Sequence, residues 1–140
     1  MRRLSSDHVT RILRGTSLLR GVSRDAVDAL ARRTRQLRFD AGETIFEKAA
    51  DAQFVYWVIA GRIRVATYGR NGNESLLGFI EEGEMLGEQA LVGKARRIVF
   101  AISESESTLI AIDRRDLLPV VKTHPGSVLV KAPFLTVSVA

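Results

Sequence analysis

The sequence predicts a mainly β domain with flanking helices, in which the strands form a sandwich or a jelly roll. Short apolar or alternating runs separated by glycines fill the middle of the chain, and such runs with turns between them are typical of this architecture. Helical periodicity is confined to the two ends. With 140 residues, the chain has the length of a single domain. We expect one domain over 1–140, with N-terminal helices at 5–38, a β-roll at 39–112 and a C-terminal helix and tail at 113–140.

Two helices are expected before the roll. Ser6 or Asp7 is a suitable N-cap for the first, which carries apolar residues at helical spacing and is expected to end at Gly15. Ser23 is a suitable N-cap for the second. The apolar residues that follow recur at helical spacing and predict a helix over 24–37.

The middle of the chain contains six runs rich in β-branched and aromatic residues, which favour strands. One of them alternates apolar and polar residues, and Asn71-Gly72 after it is typical of a hairpin turn. The six predicted strands are 44–46, 54–59, 62–68, 75–80, 98–102 and 108–112.

A returning helix near the C-terminus has two candidate N-caps, Asp113 and Asp116. A start after Asp113 places Pro119 inside the helix, at a cost of about 3 kcal/mol. A start after Asp116 places this proline in the first turn, where it is tolerated, and we favour it. The segment 124–126 is expected to end the helix, and the apolar tail beyond it predicts no regular element.

The net charge of +5 arises at the N-terminus, because residues 1–38 carry +7 and residues 39–140 carry −2. Such a concentration indicates either an anionic partner or solvated helix faces, and we favour solvated faces. No aromatic residue interleaves these arginines to stack on bases.

Several classes of function are excluded or disfavoured by composition. The chain has no cysteine, so cysteine nucleophiles, thiolate metal sites and thiol switches are excluded. Its two histidines, His8 and His124, lie at opposite ends and outside any ligand motif, so no metal site is expected. No catalytic motif is present, and we expect neither an enzyme nor a cofactor. No apolar run is long enough to cross a membrane and no signal peptide is visible, so a cytoplasmic location without membrane contact is expected.

One segment, 83–97, combines glycines, carboxylates and arginines. A glycine lets the backbone approach a ligand, the N–H groups that open a helix favour a phosphate, and an arginine supplies the opposite charge. These are the components of an anion pocket. A surface turn with a structural role uses the same residue types.

This segment resembles the phosphate-binding cassette of the cyclic nucleotide-binding domain in Crp/Fnr (catabolite activator protein-like) regulators, kinase regulatory subunits and gated channels. In both, a Gly-Glu pair precedes an arginine by nine residues, here Glu88 and Arg97. The resemblance extends over about 18–125 and implies that the strands form a double-stranded β-helix (jelly roll). Within it, 41–46 is similar to the family's first strand, and 56–65 is similar to its central strand, glycine and following strand.

The resemblance implies a set of site residues. Glu88 would accept the ribose 2′-hydroxyl and Arg97 would pair with the phosphate, with Arg96 as an alternative phosphate contact. Ile98 follows the arginine, where the family commonly has a small or hydroxyl residue. The implied ligand is a cyclic nucleotide, cyclic AMP more than cyclic GMP. The backbone of four consecutive residues would hold the cyclic phosphate: Gly87, Glu88, Gln89 and Ala90.

Departures from the family pattern leave a second function open. Ile98 removes a hydroxyl contact, and Ala49 replaces a usual glycine, so it is strained if its turn needs a positive φ. Few residues follow 124–126, so we expect neither the family's long lid helix nor a DNA-binding domain in this chain. The chain is then part or remnant of a Crp/Fnr-type regulator. The alternative is a scaffold of the same fold that binds no nucleotide and acts through a protein partner or a homodimer built on the apolar tail of Phe134, Leu135, Val137 and Val139.

Overall fold

The computed structural model describes residues 3–91, 96–122, 128–131 and 136–139. In this part of the chain three helices flank the strands: α1 (Ser6–Arg14), α2 (Arg24–Arg32) and α3 (Arg114–Val121). Two 3₁₀ turns lie at Ser17–Leu19 and Glu88–Leu91. The strands, in chain order, are β1 (Arg35–Phe39), β2 (Thr44–Phe46), β3 (Phe54–Ala60), β4 (Arg62–Tyr68), β5 (Glu74–Glu81), β6 (Met85–Leu86), β7 (Phe100–Ser103), β8 (Ser107–Asp113), β9 (Val128–Lys131) and β10 (Thr136–Val139).

Two four-stranded antiparallel sheets form the roll. One has the order β1-β8-β3-β6 and the other β2-β7-β4-β5, while β9 and β10 form a separate hairpin. Strands distant in sequence are therefore neighbours in space, as β1 pairs with β8 and β2 with β7. The predicted jelly-roll class with flanking helices is confirmed.

Strand β3 separates two apolar clusters because its side chains alternate between its two faces. Trp57 is fully buried towards the helices, in one cluster with Leu13 and Leu117. Tyr56 and Val58 belong to the other cluster, inside the roll. The aromatic side chains of Trp57 and Tyr56 therefore fill the core on opposite faces of the strand.

The first helix has its cap one residue earlier than predicted. The N-cap is Ser5 rather than Ser6 or Asp7, and its hydroxyl accepts a hydrogen bond from the His8 N–H at 3.2 Å. Gly15 follows the helix as predicted, with a right-handed φ of −76°. Its backbone freedom is therefore not what ends α1.

The second helix is capped by Ser23 as predicted, but it ends at Arg32. The prediction of a helix over 24–37 is wrong, because β1 begins shortly after and pairs along its whole length with β8. Leu37 and Phe39 then pack against the cluster inside the roll. A strand ladder and this apolar contact outweigh the local helical pattern, so the roll begins earlier than 39.

The start predicted for the last helix is also wrong. Asp113, not Asp116, is the N-cap, and its carboxylate accepts a hydrogen bond from the Arg115 N–H at 2.8 Å. Pro119 consequently lies inside the helix. The cap, together with the full burial of Leu117, offsets the hydrogen bond that the proline cannot donate.

The tail contains a hairpin where no regular element was predicted, because β9 pairs with β10. The expected helix stop at 124–126 lies outside the described residues, as do Phe134 and Leu135. A tail-mediated dimer therefore stays a prediction.

All six predicted strands are present, with shifted ends. The 62–68 strand has the predicted bounds, and Gly72, with φ +79°, lies in the hairpin turn that joins β4 to β5. The strand predicted at 98–102 begins only at Phe100. The sequence pattern did not predict four strands, which are short or lack strict alternation: β1, β6, β9 and β10.

Ala49 lies in the loop between β2 and β3 with φ +70°, the single positive φ among the described non-glycine residues. The predicted strain is confirmed, since an L-residue in the left-handed region is crowded by its Cβ. The strained turn is hydrogen-bonded to a predicted site residue, because the Ala49 N–H donates to the Arg97 carbonyl at 2.7 Å.

Replacing Ala49 with glycine is expected to raise the free energy of unfolding by about 0.5–1 kcal/mol, because the relief of strain exceeds the entropy cost of glycine. Thermal unfolding measures it as a Tm increase of about 2–4 °C. The neighbouring Ala50 has no positive φ, so Ala50→Gly is the matched control and should lower the Tm. Equal shifts in both variants would contradict the assignment of strain to Ala49.

Candidate functional site

A cavity of about 90 Å³ lies between the 3₁₀ turn Glu88–Leu91 and the residues that lead into β7. Four of the seven predicted site residues line it: Gly87, Glu88, Gln89 and Ile98. A larger open groove of about 930 Å³ lies beside α1, α2 and β1 and is lined by none of the seven. We take the smaller cavity as the candidate site because the predicted chemistry converges there.

Gly87 is required where the site begins. It has φ +82°, and a Cβ built on it would lie 2.9 Å from Arg97 Nη1 and 3.1 Å from the Phe54 carbonyl oxygen. Any other residue would be strained at this φ and would crowd the guanidinium. Glycine therefore allows Arg97 to approach the backbone of the turn.

The Arg97 side chain lies behind the cavity wall and is only 3% exposed. Its Nη1 donates to the Gly87 carbonyl at 2.7 Å, and its Nη2 donates to the Phe54 carbonyl at 2.6 Å. The guanidinium carbon lies 4.2 Å from the centroid of the Phe46 ring, a cation–π contact. The buried Nε has no hydrogen-bond partner.

This buried guanidinium lacks an ion pair within the described part of the chain, where no carboxylate oxygen lies within 4.0 Å of it. Burial lowers the pKa of Arg97, and the electrostatic interaction and side-chain hydrogen bond with Tyr56, together with the charge of Glu88, oppose that shift. An arginine nevertheless stays protonated at neutral pH. A buried cation held by neutral carbonyls is suited to an incoming anion.

Glu88 is the acidic residue of the site and is 8% exposed. Burial raises the pKa of its carboxyl, while backbone N–H groups and the charge of Arg97 lower it in part. A carboxylate in this position carries unused acceptor capacity and is suited to accept hydrogen bonds from hydroxyl groups.

Arg96 points away from the cavity. Its side chain is 70% exposed, donates to the Ala49 carbonyl at 3.1 Å and lies 3.5 Å from Asp51. The structure thus brings Arg97, and not Arg96, next to Gly87.

The short helix expected after the glycine is a four-residue 3₁₀ turn. Ala90 is fully buried there, and its N–H already donates to the Gly87 carbonyl at 3.2 Å. The helix N-terminus invoked for phosphate binding is therefore replaced by a single turn. The positive charge of Arg97 becomes the main determinant for an anion.

Three surrounding residues were missed as site components: Phe46, the Phe54 carbonyl, and Tyr56, whose ring centroid lies 6.0 Å from the Arg97 guanidinium carbon. They belong to β2 and β3 and are at least 41 residues from Arg97 in sequence. No local sequence signal marks them, because only the folding of the roll brings them to the arginine.

The described residues contain no group of three or more His, Cys, Asp or Glu side chains arranged to hold a metal ion. Within the same residues, no helix has the length and apolar character needed to span a membrane.

The two four-stranded sheets and the helices that flank them define the class of this protein, a jelly-roll domain with helices at its ends. Residues 36–124 match the family model of the cyclic nucleotide-binding domain, and the chain belongs to that family. It is 26% identical over 113 residues to the cyclic AMP receptor protein of Thermus thermophilus, covering 81% of this chain and 52% of that protein. It is 25% identical over 114 residues to the CRP-like cAMP-activated global transcriptional regulator of Mycobacterium tuberculosis, covering 81% and 51%. The chain thus spans about half the length of these relatives.

Solved structures show the same fold. A cyclic nucleotide-binding-like protein from Brucella abortus aligns with TM-score 0.73 and 25% identity, over 83% of this chain and 99% of that chain. The sensor domain of the transcriptional regulator DNR from Pseudomonas aeruginosa aligns with TM-score 0.76 and 17% identity, over 84% and 79%. The regulatory domain of Toxoplasma gondii PKA, crystallised with cAMP, aligns with TM-score 0.76 and 17% identity, over 84% and 46%.

Proposed function

We propose that this chain is a regulatory domain that binds a cyclic nucleotide, with the phosphate beside Gly87 and Arg97 and the ribose 2′-hydroxyl on Glu88. The observation that carries the proposal is the buried guanidinium of Arg97, held at the Gly87 turn without a carboxylate partner. A cyclic phosphodiester carries one negative charge, which matches one guanidinium.

The hydrogen-bonding capacity of Arg97 supports this role. A guanidinium has five N–H donors in a planar fork. Two nitrogens of Arg97 bond to the backbone carbonyls and one side-chain hydrogen bond links it to Tyr56, while Nε has no partner. Bonds from a guanidinium to phosphate oxygens are charge-assisted and short. The two carbonyl bonds fix the plane of the fork before a ligand arrives.

Family membership and the relatives support the remaining parts of the proposal. Two relatives are named for cAMP, so we propose cyclic AMP rather than cyclic GMP as the preferred ligand. We also propose a sensory, non-catalytic role as part of a Crp/Fnr-type transcriptional regulator acting in the cytoplasm.

A second candidate function follows from the size of the cavity. A volume of about 90 Å³ is far below the roughly 300–1,000 Å³ typical of small-molecule sites. This observation favours a scaffold that binds no nucleotide and acts through a protein partner or as a homodimer.

Isothermal titration of the chain with cyclic AMP and cyclic GMP separates the two functions. We expect saturable heat with one site per chain and tighter binding of cyclic AMP. 2′-Deoxy cyclic AMP should bind about tenfold more weakly, because a hydrogen bond to the Glu88 carboxylate is lost. Absence of heat with both nucleotides would contradict nucleotide binding and favour the scaffold.

Glu88→Gln is expected to stabilise the ligand-free protein at neutral pH. Burial raises the pKa of this carboxyl, so the folded protein binds the proton more tightly than the unfolded chain does. The free energy of unfolding therefore falls as pH rises from the ordinary glutamate pKa through the raised value, and glutamine removes this loss.

Thermal unfolding at several pH values tests this expectation. The Tm advantage of Glu88→Gln over wild type should be present at pH 8 and should shrink as the pH is lowered towards 4. Glu82 is exposed, so Glu82→Gln is the control and should show a much smaller change. A lower Tm for Glu88→Gln at pH 8 would show that the ionised carboxylate stabilises the fold.

A further inference from the structure

The side chain of Gln89 closes one side of the candidate cavity. Its Oε1 accepts a hydrogen bond from the Ile98 N–H at 3.2 Å, and both residues line the cavity. A backbone N–H can only donate, so the amide atom that faces it must be the carbonyl oxygen. The orientation of the Gln89 amide is thereby fixed by chemistry.

This contact occupies a donor that a ligand would otherwise find free. Ile98 is 54% exposed and precedes β7, so its N–H lies outside the strand ladder, at the cavity. The same donor is suited to an oxygen of an anionic ligand, whose bond would be charge-assisted and stronger than the bond to a neutral amide.

The small cavity has to enlarge before it accepts a nucleotide, and its wall residues differ in how easily they move. Phe46, Val65, Ile80 and Leu86 are 9%, 2%, 2% and 4% exposed and belong to the core inside the roll. Gln89 is only partly buried and is attached to the cavity by one neutral hydrogen bond. Displacing the Gln89 side chain therefore costs less than displacing any of these four core residues.

We propose that Gln89 is an internal competitor of the ligand. Its side-chain carbonyl occupies the Ile98 N–H, and a phosphoryl oxygen takes over this donor only when the Gln89 side chain swings out. Gln89 thus lowers the affinity of the site. This inference rests on the proposed function, because it assigns a regulatory role within the same site.

Titration of two Gln89 variants with cyclic AMP tests the competition. Gln89→Ala removes the competing oxygen and should bind about fivefold to tenfold more tightly than wild type, which corresponds to the net worth of one hydrogen bond. Gln89→Glu keeps an acceptor for the Ile98 N–H, makes that bond charge-assisted and repels a phosphate, so it should bind more than tenfold more weakly. Gln53, whose amide donates to Asp113 away from the cavity, gives the control Gln53→Ala, with unchanged affinity expected.

Weaker or unchanged binding by Gln89→Ala, with wild-type binding intact, would overturn the inference and leave the proposed function standing. If neither protein binds cyclic AMP, the proposed function fails and the inference fails with it. Amide hydrogen exchange without ligand is an independent readout: the Ile98 amide should exchange faster in Gln89→Ala than in wild type. Equal exchange rates would show that the hydrogen bond is absent in solution and would also overturn the inference.

Discussion

Replacing Arg97 with glutamine is expected to weaken the binding of cyclic AMP by about 100-fold, whereas the same replacement at Arg96 should change it by less than about threefold. The two arginines are adjacent in sequence, identical in charge and different in location. Isothermal titration of both variants against wild type measures the contrast.

The physical reason lies in burial. Arg97 is 3% exposed and fixed by two carbonyl acceptors beside the cavity, so its bonds to a phosphate form with little solvent screening and little loss of side-chain entropy. The Arg96 side chain is 70% exposed beside Asp51, where charge interactions are screened and contribute little. Of the two arginines, only Arg97 is buried and fixed in orientation by two backbone acceptors.

A third variant and a stability measurement complete this test. Arg97→Lys keeps the charge but loses the planar fork, so it should retain more affinity than Arg97→Gln and less than wild type. Thermal unfolding of each variant establishes that the fold is intact. Unchanged affinity in Arg97→Gln would contradict the proposed phosphate contact, and a comparable loss in Arg96→Gln would assign that contact to Arg96 instead.

The sequence predicted the central strands well because their signals are local. The 62–68 strand alternates and is followed by a hairpin turn, so its bounds follow from nearest neighbours. The end of α2 was wrong because β1 owes its existence to β8: Leu37 is opposite Leu109 in the ladder. Pairing between strands about seventy residues apart in sequence cannot be predicted from a local sequence pattern.

The start of α3 was predicted wrongly for a similar reason, because contacts distant in sequence contribute to its stability. The cost of Pro119 inside a helix is a local property and was weighed correctly as unfavourable. The opposing contributions are partly tertiary, because the Gln53 amide donates to the Asp113 carboxylate at 3.0 Å and Leu117 is fully buried. Neither contact is visible from the residues around the proline.

The candidate site was predictable to the extent that its residues lie in one short segment of the chain. Gly87, Glu88 and Arg97 follow from one segment, and the structure places them together. The neutral carbonyl of Phe54 and the ring of Phe46, which hold the guanidinium, come from strands that only the folded roll brings near. Spacing therefore identified the groups that carry charge, and the fold supplies the groups that orient them.

Gly61→Ala is expected to give the largest loss of stability of any substitution considered. Gly61 joins β3 to β4 with φ +97°, and a Cβ there would lie 2.7 Å from both the Glu106 carbonyl oxygen and Ser107 Cα, and would also collide with Ser107 Oγ. Ser107 is 1% exposed, and the Arg62 N–H donates to its hydroxyl at 3.3 Å. Two backbone segments would have to separate, so we expect a loss of about 3 kcal/mol, which combines left-handed strain with overpacking.

Thermal unfolding should show this loss as a Tm decrease of about 10 °C, and matched glycines separate its two causes. Gly42 and Gly83 have similar φ values, +89° and +86°, but a Cβ on either meets no atom within 4 Å. Gly42→Ala and Gly83→Ala therefore report the strain alone, with a loss of about 1 kcal/mol each. The excess in Gly61→Ala measures the close approach of the β3–β4 turn to the start of β8. A Tm decrease no larger than in the two controls would contradict the assignment of this excess to close packing between the two segments.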